Sequence, residues 1–143
     1  RVSGPARPNA TGDRARGLLI DDEPAIRSVL EQLLVEDYDV VVAESGRAAI
    51  ARLEVDQAFA AIVCDMTMPD VSGPELWAWI EARHPALLDR MLLMSGGTSA
   101  GGAALLQRHP DRWLHKPFSL DRLLRAVAAR VAATRAAPHA DLA

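Results

Sequence analysis

Polar side chains directly follow four short runs of this sequence, three of which are wholly apolar. Residues 18–20 are followed by two aspartates and residues 59–64 by one aspartate. Residues 91–94 are followed by a serine and residues 112–115 by a lysine. The polar residues concerned are Asp21, Asp22, Asp65, Ser95 and Lys116. If the runs are parallel strands of one sheet, their carboxyl ends meet at one edge, where such sheets bind ligands. The sequence therefore predicts one site with three carboxylates, a hydroxyl and an ammonium group.

Three carboxylates held this close together repel one another. Each pair costs on the order of 4 kcal/mol at about 4 Å and an effective dielectric constant of 20. One lysine is too little for three carboxylates, so a divalent cation is expected as well. An oxygen-only ligand set favours Mg²⁺, with Mn²⁺ as its substitute. We expect Asp21, Asp22 and Asp65 around this ion, and a backbone carbonyl of the 65–68 loop could add another ligand.

Ser95 and Lys116 are not explained by a metal ion alone. A phosphoryl group explains them, because it brings dianionic charge and oxygens that need donors. A carboxylate can accept a phosphoryl group as an acyl phosphate, so Asp65 is the expected nucleophile and Ser95 and Lys116 hold the phosphoryl oxygens. Lys116 is also the single lysine among 16 basic residues. A compact ammonium and a planar guanidinium are not interchangeable in a tight anionic site.

The elements that must position these residues alternate along the chain. Strands are predicted at 18–20, 38–43, 59–64, 91–94 and 112–115, and helices from Pro24, at 46–55, 74–83 and 103–108, and after Ser119. This alternation implies an α/β fold, a doubly wound parallel sheet with helices on both faces. Residues 1–16 are predicted to be a linker or disordered arm, 17–134 the domain, and 135–143 a flexible tail.

Length and composition exclude several classes of protein. At 143 residues the chain is one domain. Its formal net charge of -3, with both signs scattered, argues against direct nucleic-acid binding, which needs a clustered basic face. One cysteine, Cys64, fits a reducing compartment, so a cytoplasmic location is expected. No apolar run approaches the roughly 18 residues of a spanning helix, and no membrane contact is expected.

Four segments carry a resemblance to a known family. They are Leu18–Pro24 (LLIDDEP), Ile62–Pro69 (IVCDMTMP), Leu92–Gly96 (LLMSG) and His115–Phe118 (HKPF). In this order, at these strand ends, they resemble the receiver domains of bacterial two-component response regulators. The resemblance covers about residues 16–133. It implies a flavodoxin-like (βα)₅ sheet in the strand order 2-1-3-4-5.

The resemblance implies a role for each position around the acceptor. Asp65 is similar to the phosphoacceptor, charged from a phosphohistidine on a histidine kinase or phosphotransfer domain. Asp21, Asp22 and the Thr67 carbonyl are similar to the Mg²⁺ shell, with Asp65 as a further ligand. The Thr67 side chain and Gly97 occupy positions that tune dephosphorylation in the family. Because Gly97 has no side chain to orient water, the rate of phosphate loss is left open.

The resemblance also implies a switch. Ser95 corresponds to the switch hydroxyl, and Ser95, Gly96 and Lys116 are the expected phosphate-binding positions. Trp113 stands where the family places a rotating aromatic residue, usually tyrosine or phenylalanine, and the bulkier indole leaves its rotation open. Pro117 resembles the cis proline of the family.

Three functions are considered for this set of residues. The first is a signalling switch that catalyses its own phosphotransfer and slow autodephosphorylation. The second is an aspartyl-nucleophile phosphatase or hydrolase on a similar sheet, which usually needs a cap that these short loops do not provide. The third is a receiver-like interaction module without phosphorylation, against which Asp22, Asp65 and Lys116 speak.

The parent protein is a separate question. Because the chain lacks an initial methionine and has no output domain after residue 133, we expect a piece of a longer protein or a processed chain. The C-terminal receiver of a hybrid sensor histidine kinase is slightly favoured over a stand-alone regulator. Whether the parent is an enzyme, which protein lies downstream and whether the domain forms a homodimer are left open.

Overall fold

One parallel sheet organises the molecule. A computed structural model describes residues 14–96 and 100–136. Within these ranges the strands are β1 (Arg16–Ile20), β2 (Asp39–Ala43), β3 (Ala61–Asp65), β4 (Met91–Ser95) and β5 (Trp113–His115). They pair in the order β2-β1-β3-β4-β5. The predicted α/β fold and its 2-1-3-4-5 strand order are confirmed.

Helices connect the strands. They are α1 (Pro24–Leu34), α2 (Gly46–Val55), α3 (Gly73–Arg83), α4 (Ala100–Arg108) and α5 (Leu120–Ala136), and a 3₁₀ helix (Pro85–Arg90) precedes β4. Serine caps explain where several of them begin, because a cap oxygen accepts a backbone N–H that has no partner within the helix. Ser45 caps α2, Ser72 and Glu75 form a capping box on α3, and Ser119 caps α5 as predicted.

The core lies on both faces of the sheet. Alternate residues of β1 point to opposite faces, so Leu18 and Ile20 belong to one apolar cluster and Leu19 to the other. Residues of α2, α3 and α4 belong to the first cluster, and residues of α1 and α5 to the second. All residues of β3 and β4 are buried. Strands covered on both faces are apolar throughout, which leaves polar residues for their ends.

Some predicted boundaries differ from the structure. α4 begins at Ala100 rather than 103, so the prediction that Gly101 and Gly102 precede the helix is wrong. Glycine has a low helix propensity, but Gly102 is buried, where a small residue allows close packing. Residues 1–13, 97–99 and 137–143, which include Gly97 and most of the predicted arm and tail, lie outside the described residues. Among the described helices, none has the length and apolar composition needed to cross a membrane.

Candidate functional site

Strand pairing brings the predicted site residues to one edge of the sheet. The register places Asp65, the last residue of β3, opposite Met94 of β4. Asp21 directly follows β1, which is the other neighbour of β3. The Lys116 N–H donates to the Ser95 carbonyl at 2.7 Å and so extends the pairing of β4 with β5. The carboxyl ends of four adjacent strands thus supply one site.

Three carboxylates form a compact cluster at this edge. One oxygen each of Asp21, Asp22 and Asp65 lie within 4.8 Å of one another. Asp21 is fully buried, Asp65 is nearly so, and Asp22 is half-buried. Burial raises the pKa of Asp21, and the charge of Asp65 raises it further. The Glu23 N–H, which donates to Asp21 Oδ1 at 2.9 Å, lowers this pKa and so opposes the rise. The cluster is therefore an electrostatic cost to the chain without a counter-ion.

The residues present fit a hard divalent cation. Asp21 Oδ2 is buried and has no hydrogen-bond partner among the described residues. A buried polar atom without a partner is costly and rare, and a cation beside this oxygen would satisfy it. The three side chains offer only oxygen, which suits Mg²⁺ or Mn²⁺. Thr67 lies two residues past Asp65 in the loop that leads to α3, with its side chain exposed.

Lys116 places a positively charged side chain beside the carboxylate cluster. Its Nζ lies 3.2 Å from Asp65 Oδ1. The Lys116 side chain is half-buried and that of Asp65 is buried, so the pair is only partly screened by solvent. The stem of Lys116 passes close to Gly96, where an added Cβ would lie 3.5 Å from Lys116 Cδ. The bond between Lys116 and Pro117 is cis, as the resemblance implied.

The two proposed switch residues occupy different surroundings. Ser95 is fully buried at the end of β4, beside the residue that pairs with Asp65. Trp113 lies outside the carboxylate cluster, half-buried on β5. Its ring is nearly perpendicular to that of His115, with 5.6 Å between the ring centroids. It lines a surface hollow of about 420 Å³ together with Ala103, Leu106, Gln107 and Pro110. Trp113 therefore faces α4 and the loop that follows it.

Two further residues, which were not found from the sequence, contact the segments that carry the site. Arg27 Nη1 donates to the backbone carbonyl of Asp21 at 2.9 Å. Asp70 Oδ2 accepts the backbone N–H of Arg47 at 3.0 Å. The position of Arg27 in the first turn after the acidic pair could have indicated its reach. Asp70 gave no such signal, because its partner is 23 residues away in the chain.

Comparison with known proteins identifies the family. A family model described as the response regulator receiver domain matches residues 18–128. The chain belongs to this family. The receiver domain is 32% identical over 115 residues to the response regulator protein FleR of Pseudomonas aeruginosa. It is also 32% identical over 118 residues to the sensor protein GacS of Pseudomonas syringae pv. syringae.

These relatives are much longer than the receiver domain. The alignments cover 80% of this chain but 24% of FleR, and 78% of this chain but 13% of GacS. A response regulator receiver domain protein from Clostridium thermocellum has a similar structure, with a TM-score of 0.74 at 22% identity. That alignment covers 85% of this chain and 97% of the other, and at this identity it supports the fold alone.

Proposed function

We propose that this receiver domain is the phosphoacceptor switch of a two-component phosphorelay. Asp65 accepts a phosphoryl group from the phosphohistidine of a histidine kinase or phosphotransfer domain. Mg²⁺ is held by Asp21, Asp22, Asp65 and the Thr67 carbonyl. The contact between Lys116 Nζ and Asp65 Oδ1, beside two further carboxylates, carries the proposal. A purely structural ion pair has no need of those two additional charges.

Each residue has a definite task in the transfer. A carboxylate oxygen of Asp65 attacks phosphorus, an O–P bond forms, and the P–N bond breaks with its electron pair left on the imidazole. Bound Mg²⁺ supplies positive charge against the phosphoryl oxygens. Lys116 exchanges its contact with Asp65 for one with a phosphoryl oxygen. Ser95 and Gly96 contact the remaining oxygens, the first through its hydroxyl.

Phosphorylation then biases a surface away from the acidic cluster. In this proposal the buried Ser95 is drawn toward the phosphoryl group, which shifts the end of β4. Trp113 lines the hollow beside α4 on the neighbouring strand. A local charge change of this kind acts by shifting a two-state element. The downstream partner would bind one state of this surface in preference to the other.

The parent protein and its location belong to the same proposal. FleR is named a response regulator protein and GacS a sensor protein, and either kind of parent is compatible with the proposal. We keep the hybrid sensor histidine kinase as the parent to be tested first, by sequencing the surrounding gene. We also propose that the receiver domain lies in the cytoplasm.

Acetyl phosphate with Mg²⁺ tests the proposal directly. The wild-type chain should gain the mass of one phosphoryl group by intact mass spectrometry, and the adduct should be labile as acyl phosphates are. Asp65→Asn should gain none. A wild-type chain without an adduct, or an equal adduct on Asp65→Asn, would show that the assignment is wrong.

A further inference from the structure

The β3–α3 loop, residues 66–72, is tied to the start of α2 by one side chain. Asp70 Oδ2 accepts the N–H of Arg47 at 3.0 Å. Arg47 is the second residue of α2, so its N–H is among those that have no acceptor within the helix. Backbone N–H groups, that of Arg47 foremost, hold the pKa of Asp70 below its usual range. The charged carboxylate is also favoured at the positive end of a helix.

A second contact joins the same loop to the same helix. A Cβ added to Gly46, the first residue of α2, would lie 2.5 Å from the Val71 carbonyl oxygen and 2.6 Å from Val71 Cβ. The loop backbone therefore lies directly against the helix start, at a distance that only glycine allows. This packing is a second contact between the loop and α2, made by Val71, the residue next to Asp70.

The base of the loop is closed as well. The Gly73 N–H donates to the Met66 carbonyl at 2.9 Å. A Cβ on Gly73 would lie 2.8 Å from Met66 Cα, so the two ends of the loop touch. Thr67 lies between this closed base and the tied residues, Asp70 and Val71. The backbone of Thr67 thus belongs to a segment that is fixed on either side of it.

We propose that Asp70 is a positioning residue for the metal site. By tying the loop to α2, it holds the Thr67 carbonyl in the direction that a divalent cation requires. The inference rests on the proposed function, in which that carbonyl is a metal ligand. Groups that orient a metal ligand typically change metal affinity by about 10- to 100-fold when mutated, and we expect about tenfold, since Val71 and Gly73 still hold the loop.

Three variants separate this role from helix capping. Asp70→Ala removes the tie, and Asp70→Asn keeps an oxygen that can accept the Arg47 N–H. Ser45→Ala is the matched control, because the Ser45 hydroxyl accepts the Ala48 N–H at 3.0 Å in the first turn of the same helix. Mn²⁺ affinity is measured by the electron paramagnetic resonance signal of the free ion, and Mg²⁺ affinity by competition. Thermal denaturation verifies that each variant is folded at the titration temperature.

Asp70→Ala should bind both ions about tenfold more weakly than wild type, while Ser45→Ala should match wild type and Asp70→Asn should recover most of the loss. In the chain without metal, amide hydrogen exchange of residues 66–72 should accelerate in Asp70→Ala and not in Ser45→Ala. Equal affinity in wild type and Asp70→Ala, or an equal loss in Ser45→Ala, overturns the inference alone. A wild-type chain that binds neither ion overturns the proposed function and the inference with it.

Discussion

Lys116 Nζ lies 3.2 Å from Asp65 Oδ1 across a separation of 51 residues. At the opposite ends of the strands, two arginines contact backbone carbonyls. Arg90 donates to Phe59 at 2.8 Å, and Arg112 donates to Met91 at 3.0 Å. A guanidinium has several donors in a fixed plane, which suits carbonyls at strand starts, whereas an ammonium is a compact point charge. Lys116 therefore presents a compact point charge to one carboxylate oxygen of Asp65.

Replacement of Lys116 should slow phosphorylation of Asp65 without unfolding the chain. Lys116→Ala removes the charge opposite Asp65, and loss of one such group costs about 10²-fold in rate. Lys116→Arg keeps the charge, but its planar head is broad for the space beside Gly96, so its rate should remain closer to that of alanine. Stopped-flow or mass-spectrometric rates with acetyl phosphate measure both. If Lys116→Arg reacts as fast as wild type, the requirement for an ammonium is refuted.

Asp21→Asn should stabilise the chain without metal and remove its response to Mg²⁺. Burial raises the pKa of Asp21, so its charged form costs stability in the folded state. Asparagine removes the charge and can still accept the Glu23 N–H, and we expect a gain of about 1 kcal/mol in free energy of unfolding. Urea denaturation with a chelator, and again with Mg²⁺, measures the effect.

The pH dependence of the same variant gives an independent measurement. A raised folded-state pKa means that the stability contribution of Asp21 is present below its unfolded pKa and is lost as pH rises through the folded pKa. Wild type without metal should show this loss, and Asp21→Asn should not. If Asp21→Asn is no more stable than wild type at neutral pH, the charge of Asp21 does not destabilise the folded chain.

Much of the fold follows from where the apolar runs end. β3 and β4 are buried on both faces, so their polar residues could lie only at the ends, and these are Asp65 and Ser95. Contacts between segments that are far apart in the chain could not be predicted from the ends of the apolar runs. Asp70 reaches α2 across 23 residues, and Arg112, a residue type that is usually exposed, is buried. The start of α4 was missed because glycine propensity is a weak guide where tertiary packing decides.

The pair of Arg16 and Asp56 should make stability depend on acid pH. Asp56 accepts two hydrogen bonds from Arg16, at 3.0 and 2.8 Å. Together with a hydrogen bond from the Ala58 N–H, they lower the pKa of Asp56 to about 2. A lowered pKa gives stability that is present above the unfolded value of about 3.9 and lost as pH falls toward about 2. Thermal denaturation of wild type and Asp56→Asn between these limits measures it.

Asp121→Asn is the matched control for that experiment. Asp121 pairs with Arg125 one helical turn away, and both side chains are more than 70% exposed (72% and 74%). Exposed pairs of this kind contribute little, so Asp121→Asn should follow the wild-type pH curve. Asp56→Asn should instead begin less stable at neutral pH and lose less on acidification. Parallel curves for Asp56→Asn and wild type would contradict the assignment.

Arg112→Lys should destabilise the chain although the charge is kept. Arg112 Nε donates to the Met91 carbonyl at 3.0 Å, and its guanidinium lies 5.4 Å from the centroid of Trp77. Lysine cannot make both contacts, and a lost hydrogen bond to a buried charged group costs about 1.5 to 3 kcal/mol. Arg83→Lys is the control, because Arg83 is exposed over Trp79 and should change stability by less than about 0.5 kcal/mol. Urea denaturation with equal losses in both variants would exclude the buried contact as the cause.

Alanine substitutions at two glycines should have different effects on stability because their surroundings differ. A Cβ at Gly46 would collide with Val71, at 2.5 Å from its carbonyl oxygen, whereas a Cβ at Gly17 would meet only the Ala61 carbonyl, at 3.9 Å. Gly46→Ala should therefore cost about 1 to 3 kcal/mol through overpacking, and it should weaken Mg²⁺ binding because it displaces the loop that carries Thr67. Gly17→Ala should be neutral or stabilise by up to about 1 kcal/mol, since it restricts the unfolded chain. Urea denaturation and Mn²⁺ titration of both variants test this, and a Gly46→Ala chain with wild-type stability and affinity would show that the contact with α2 does not constrain the loop.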